Sequence, residues 1–116
     1  MNKEDRKLFF TVVNIVRRLP AFRRIKVRFR NIKDLGRVKY DGEKNEYLIL
    51  ISKKLDFDVA MYTFAHECAH ILVDMDNAHG PLFGITEQYC IDLLFTIVGF
   101  LFQNSDSKKK VDEEKC

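Results

Sequence analysis

The stretch from His66 to His79, HECAHILVDMDNAH, constrains the fold of this 116-residue chain more than any other. It contains all three histidines of the chain, and His66, Glu67 and His70 form the pattern H-E-x-x-H. Residues four apart on a helix lie one turn above each other, with Cβ atoms about 5–6 Å apart. The pattern therefore predicts a helix that presents two imidazoles to one metal ion, with a carboxylate beside them.

Glu67 and a third metal ligand decide what such a site can do. On the helix Glu67 is rotated by roughly 100° from His66, so its carboxylate flanks the ion and can act as a general base toward water. A catalytic zinc site needs three protein ligands and one open position. We rank His79 first as the third ligand, because Gly80-Pro81 behind it turns the chain. The remaining candidates, in order, are Glu87 and then Asp74 and Asp76.

The residues after His79 read Gly80-Pro81-Leu82-Phe83, so the H-E-x-x-H pattern is followed by an H-G-P-x-F turn. In this combination the chain resembles the SprT-like group of zinc metallopeptidases, over residues 25–95 in the order of elements. The resemblance implies a minimal zincin-like fold. This sequence contains no cysteine-rich zinc ribbon like that of the longer members. The resemblance also implies three zinc ligands and a catalytic acid/base: His66, His70 and His79, with Glu67.

The spacing of apolar residues predicts an α+β fold around the motif. Residues 3–19 carry an apolar stripe at three- and four-residue steps, which indicates an amphipathic helix ended by Pro20. Strict alternation over 24–30 predicts a strand with one buried face, and 36–40 and 46–52 add two more strands. Because the connections are too short for crossover helices, we expect a three-stranded antiparallel meander.

Two helices complete the predicted fold. The helix that carries H-E-x-x-H begins at Asp56, a favourable N-cap residue, and ends near residue 77. An apolar helix follows over about 81–103, with Pro81 suited to its first turn. Polar residues interrupt its apolar run, so we expect a buried helix, or the face of a homodimer, and no membrane span.

The composition fits one intracellular domain. A chain of 116 residues with 47% hydrophobic residues buries a single core without cross-links. We assign residues 1–104 to that domain and expect the charged segment 105–116 to be a disordered tail. The three cysteines are widely spaced and the N-terminus has no signal-peptide pattern, so we expect a reducing, cytoplasmic location.

Basic residues are concentrated between Arg17 and Lys39. That segment contains ten basic residues and one acidic residue, Asp34, so it carries a charge of +9 while the whole chain carries +3. Such a concentration is typical of nucleic-acid-binding proteins. We expect DNA or RNA to contact the basic face of the first strand, namely Arg24, Lys26, Arg28 and Arg30.

Together these features predict a zinc-dependent peptidase, acting on proteins associated with nucleic acid. Water activated at the ion attacks a peptide carbonyl, while Glu67 takes its proton and returns it to the leaving amine. We expect the substrate to lie extended along the edge of the strand at 46–52, with Tyr62 or Tyr89 as candidate partners of the oxyanion. The alternatives are a nucleic-acid-binding or regulatory module with a non-catalytic zinc site, and an interaction protein that pairs through its apolar last helix.

Overall fold

The computed structural model describes residues 1–73 and 79–115, with side chains up to residue 103. Three helices and three strands form an α+β fold, as the sequence predicts. A short 3-10 turn, Pro20–Phe22, follows the first helix. In chain order the elements are α1 (Lys3–Val16), β1 (Ile25–Arg30), β2 (Gly36–Asp41), β3 (Glu46–Ser52), α2 (Phe57–Val73) and α3 (Pro81–Lys115).

The sheet is mixed, so the predicted antiparallel meander is wrong. The strand order is β1-β3-β2, with β1 parallel and β2 antiparallel to β3. Crossing one intervening strand spans about 10 Å, two inter-strand spacings, whereas five extended residues reach about 17 Å. Residues 31–35 therefore pass over the end of β3 without a crossover helix. Backbone hydrogen bonds from Ser52 to Leu35 and from Lys53 to Arg30 fix that crossing.

The helices cover one face of the sheet and leave the other in solvent. Along β1, buried apolar residues alternate with exposed basic ones, as the sequence predicts. The ring of Phe9 in α1 lies 5.1 Å from the ring of Phe29 in β1 and 5.7 Å from that of Phe64 in α2. One aromatic cluster thus joins three elements, and it fixes α2 against the sheet.

The helix α2 is the centre of the core. Its first turn is capped as predicted, because the backbone N–H of Val59 donates to Asp56 Oδ1 at 3.1 Å. Met61, Phe64 and Cys68 are buried between the sheet and the other helices. This buried side of α2 holds the helix in a fixed position, which matters for the histidines that it carries.

The last helix is longer than predicted. Its backbone continues through Lys115, beyond the expected end at 103 and into the segment 105–116 that we expected to be disordered. Lys and Glu are strong helix formers, and no Gly or Pro follows Gly99 to stop the helix. The division of the chain at residue 104 stays a prediction.

Among the described residues, Pro81–Gln103 is the one helical segment long and apolar enough to cross a membrane. Core helices of globular proteins pass the same test, and Phe83, Cys90 and Leu94 of α3 belong to the core that it shares with α2. Its opposite side leaves apolar side chains exposed, so the homodimer face stays a prediction. The exposed residues include Leu82, Ile85, Tyr89, Phe100 and Phe102.

Candidate metal centre

Three imidazole nitrogens meet where α2 ends and α3 begins. His66 Nε2 lies 3.2 Å from His70 Nε2, which lies 3.3 Å from His79 Nε2. A tetrahedral ion with Zn–N bonds of about 2.0–2.1 Å holds its ligand nitrogens about 3.3–3.4 Å apart. The three histidines can therefore bind a metal ion, and their nitrogen donors fit zinc. The candidates Asp74 and Asp76 lie outside the described residues.

Phe83 contacts all three histidines and lies closest to two of them. Its ring stacks on that of His79 at 4.5 Å and lies 4.6 Å from that of His70. Phe83 is itself buried in the first turn of α3, and Pro81 begins that helix as predicted. The turn at Gly80-Pro81 thus brings the exposed His79 back toward the buried His70.

Glu87 supports one of the three histidines from the side opposite the cluster. The Nδ1 nitrogen of His66 donates to Glu87 Oε2 at 2.5 Å, while the Nε2 of the same ring faces His70. A carboxylate on the outer nitrogen fixes the tautomer of a ligating histidine and its ring orientation. In this geometry Glu87, our second choice for third ligand, contacts His66, and His79 is the third member of the cluster that could bind a metal ion.

Glu67 lies beside the cluster and is almost fully buried, with 5% of its surface exposed. Burial raises the pKa of Glu67 above its ordinary value, and the neighbouring His66 and His79 oppose that rise. A shielded carboxylate with a raised proton affinity is suited to accept a proton from water at a site near neutral pH.

Two clefts meet at His66 and Glu67. The larger has a volume of about 680 Å³ and extends toward α3; the smaller has a volume of about 410 Å³ and extends past His79. Both also contact Asp34 and Gly36 at the start of β2. They form one groove with two arms, and the candidate metal centre lies at its middle.

The strand that borders this groove is β2, and not the strand at 46–52 that we expected to present an edge to substrate. The latter, β3, is central and paired on both sides, because it is the most continuously apolar of the three. β2 is hydrogen-bonded to β3 on one side only. Its other edge, beside the groove, has no strand partner among the described residues and can pair with an extended peptide.

Gly36 allows β2 to approach α2 so closely. A Cβ atom at this position would lie 2.4 Å from Thr63 Cγ2 and 3.4 Å from Glu67 Oε1. Sequence reasoning missed this residue, as it missed Phe83 as a support. The available signal was a glycine at the start of a predicted strand, which often marks a close approach of backbone.

The two tyrosines proposed as oxyanion partners lie in different places. Tyr62 lines the larger arm of the groove, and its ring packs at 4.9 Å against Phe95. Tyr89 is exposed on α3 and lines neither arm. Of the two, Tyr62 is therefore the one near the candidate metal centre.

A second surface is the solvent face of the sheet, which we call the outer sheet face. The register places Leu48 between Lys26 and Lys39, and Leu50 between Arg28 and Arg37. Two basic strands thus flank an aliphatic stripe. The sequence predicted the β1 side, with Arg30 in β1 and Arg24 just before it. It placed Arg37 and Lys39 in the basic segment but not on this face, because strand order decides which cations share a face.

No protein-family model matches the chain, and no curated protein or solved structure matches it either. The SprT-like character of the motif and its turn is therefore a resemblance in a few residues.

Proposed function

We propose that this chain is a zinc-dependent metallopeptidase of SprT-like character that hydrolyses peptide bonds. The observation that carries the proposal is that His70 Nε2 lies 3.2 Å from His66 Nε2 and 3.3 Å from His79 Nε2, close to the separation of two ligand nitrogens on a tetrahedral zinc ion. A catalytic assignment gains support from Glu67, which is buried beside them in an open groove. A purely structural site would need neither the groove nor the carboxylate.

Each group of the chain has a role in this mechanism. The three histidines would hold a zinc ion, which when bound would lower the pKa of water to about 7 and polarise a carbonyl oxygen. The free edge of β2 binds the peptide in extended form and brings its carbonyl to the centre of the groove. Glu67 accepts a proton from the attacking water and delivers it to the leaving amine.

Replacement of Glu67 by Gln tests the catalytic role. The histidines are untouched, so zinc content measured by elemental analysis should stay at that of the wild type. Hydrolysis of an unfolded protein should fall by about 10²–10⁴-fold, the usual contribution of a general base. Glu43→Gln, an identical change in the exposed turn between β2 and β3, is the matched control and should keep full activity. Activity that survives Glu67→Gln would exclude this mechanism.

Replacement of His79 by Ala tests the ligand set. Removing one of three donors should abolish stoichiometric zinc binding, measured by competition with a chromogenic chelator. Because imidazole sites accept several divalent ions, the titration should be repeated with Co²⁺ and Ni²⁺. A chain that binds zinc equally well without His79 would require a different third ligand.

We also propose that the outer sheet face binds DNA or RNA, so that the peptidase acts on proteins associated with nucleic acid. The support is the pairing of cations from β1 and β2 across Leu48 and Leu50, beside a shallow depression of about 1430 Å³. Among the described residues, Arg28 and Arg30 make no ion pair and contact only backbone carbonyls of their own strand. Unpaired cations on a common face are available to phosphates.

A nucleic-acid-binding module with a non-catalytic zinc site is the competing function. Glu67→Gln separates it from the peptidase, because only the peptidase has a hydrolytic activity that this replacement would remove.

A further inference from the structure

The two arms of the groove differ in chemistry. The larger arm is walled by apolar side chains from three parts of the chain: Leu35, Val59, Tyr62 and Ile91. The smaller arm is lined by charged and imidazole groups, with Val38 as its single aliphatic member among the described residues. A substrate that crosses the centre of the groove therefore meets an apolar surface on one side and a polar one on the other.

Three of the four apolar side chains that wall the larger arm are exposed although they converge on a concave surface. Leu35 is 58% exposed, Tyr62 50% and Val59 37%. Scattered exposed apolar residues are ordinary, but a group of them that lines one concavity beside polar groups is typical of a ligand site. Covering this wall would remove apolar surface from water, which favours an apolar occupant.

The direction of β2 fixes which part of a bound peptide would reach this wall. The chain runs from Leu35, which lines the larger arm, through Gly36, where the two arms meet, to Lys39 of β2, which lines the smaller arm. Antiparallel pairing is the slightly more stable arrangement of two strands. An antiparallel peptide enters at the smaller arm and carries the residues after its scissile bond into the larger arm.

We propose that the larger arm binds a bulky apolar side chain immediately C-terminal to the scissile bond, so that the substrates are extended segments with Leu, Ile, Met or Phe at that position. This inference rests on the proposed peptidase, because it takes the candidate metal centre as the position of the scissile bond. Val59 and Tyr62 on α2, together with Ile91 on α3, are then the residues that determine specificity.

Binding to an inactive, zinc-loaded chain tests the proposal without hydrolysis. The probes are two fluorescent peptides that differ only in carrying Phe or Ser after the central bond, titrated into the Glu67→Gln variant. An apolar pocket discriminates by about tenfold or more per group that it buries, so we expect the Phe peptide to bind at least about tenfold more tightly. Adding Val59→Glu should reduce the ratio to about threefold or less, because a carboxylate then faces the apolar side chain.

Leu72→Glu is the matched control. Leu72 is on the same helix and is exposed to a similar extent, 40%, but it lines neither arm, so its replacement should leave the ratio unchanged. Equal binding of the two peptides, or equal losses with Val59→Glu and Leu72→Glu, would overturn the proposal.

Cleavage sites in an unfolded protein, mapped by mass spectrometry with the wild-type chain, give the second readout. Apolar residues should predominate on the C-terminal side of the cut bonds; predominance on the N-terminal side, or on neither, would also overturn the proposal. A preserved binding ratio in a chain that cuts nothing would support the apolar arm and reject the peptidase.

Discussion

Glu87 shows how one contact changes the role of a residue. From the sequence it is a candidate third ligand, whereas in the structure it accepts a hydrogen bond from the outer nitrogen of His66. We expect Glu87→Gln to weaken zinc binding by about 10–100-fold, the usual effect of losing a carboxylate that orients a ligating histidine. His79→Ala should weaken it far more. Asp92→Asn, on the exposed side of the same helix, is the control for a lost negative charge. If Glu87→Gln removes zinc as completely as His79→Ala, Glu87 is a ligand.

The buried thiols are a second property at the scale of single residues. Cys68 and Cys90 are both buried, and burial, together with the charge of Glu87, raises the pKa of Cys90 to about 11. At pH 8 a thiol with that pKa is ionised in about one molecule in a thousand, and the thiolate is the reactive form.

The Cys116→Ser variant keeps only these two thiols. We therefore expect it, when folded, to resist alkylation by iodoacetamide at pH 8. Its reactivity should rise as the pH approaches 11, while the same chain in guanidinium chloride should react at once with two equivalents. Alkylation of the native chain as fast as that of the unfolded chain would show that the core between α2 and α3 opens readily.

At the scale of elements, β2 lies close against α2 at Gly36. No described glycine has a positive φ, so the cost of a side chain here is a clash with Thr63 Cγ2 and involves no backbone strain. We expect Gly36→Ala to lower the free energy of unfolding by about 1–3 kcal/mol, the range for overpacking, as measured by urea denaturation.

Thr63→Ser removes the clashing methyl group and keeps the hydroxyl that donates to the carbonyl of Val59. In the Thr63→Ser background, Gly36→Ala should lower the free energy of unfolding by at least about 1 kcal/mol less than it does in the wild-type chain. A coupling of this size is expected for residues in contact. If the loss of unfolding free energy in the double variant equals the sum of the losses in the two single variants, then β2 does not press on α2 at this point. Gly42→Ala, in the turn after β2, is the control, since a Cβ there meets no atom closer than 3.9 Å.

Local patterns in the sequence predicted the helices and strands, but they did not predict contacts between residues that are distant in sequence. The H-E-x-x-H spacing, the Asp56 cap and the alternation in β1 depend on neighbours within four residues, and the structure has all three. Strand order, the support of His66 by Glu87 and the approach of Gly36 to Thr63 join residues more than twenty positions apart. Spacing along one sequence contains no information about such pairs.

At the scale of the whole molecule, the sheet separates two proposed activities. Its inner face positions α2 and with it the candidate metal centre, whereas its outer face presents cations from β1 and β2. The groove follows the free edge of β2, where the two faces meet. Under the proposed function, a protein held on nucleic acid at the outer face would have its extended segments near the groove. The arrangement gives a geometric reason why a peptidase of this size would carry a basic sheet.

If the outer sheet face binds nucleic acid, the affinity should depend on the cations of β1 and β2 and not on the net charge of the chain. For a fluorescent single-stranded oligonucleotide, we expect the logarithm of the binding constant to fall linearly with the logarithm of the salt concentration. The slope should be about −0.7 for each phosphate contacted. Arg28→Glu combined with Lys39→Glu should weaken binding at least about tenfold and reduce the salt slope by about 1.4, the loss of two contacts.

Arg17→Glu with Arg18→Glu changes the net charge by the same amount, in the same basic segment but before β1, so it should leave both quantities nearly unchanged. Circular dichroism of the two double variants checks that both are folded. Equal losses in the two variants would assign the binding to net charge, and an affinity independent of salt would exclude phosphate contacts altogether. The outer sheet face would then be a solvated surface, and the proposed peptidase would have to meet its substrates without help from nucleic acid.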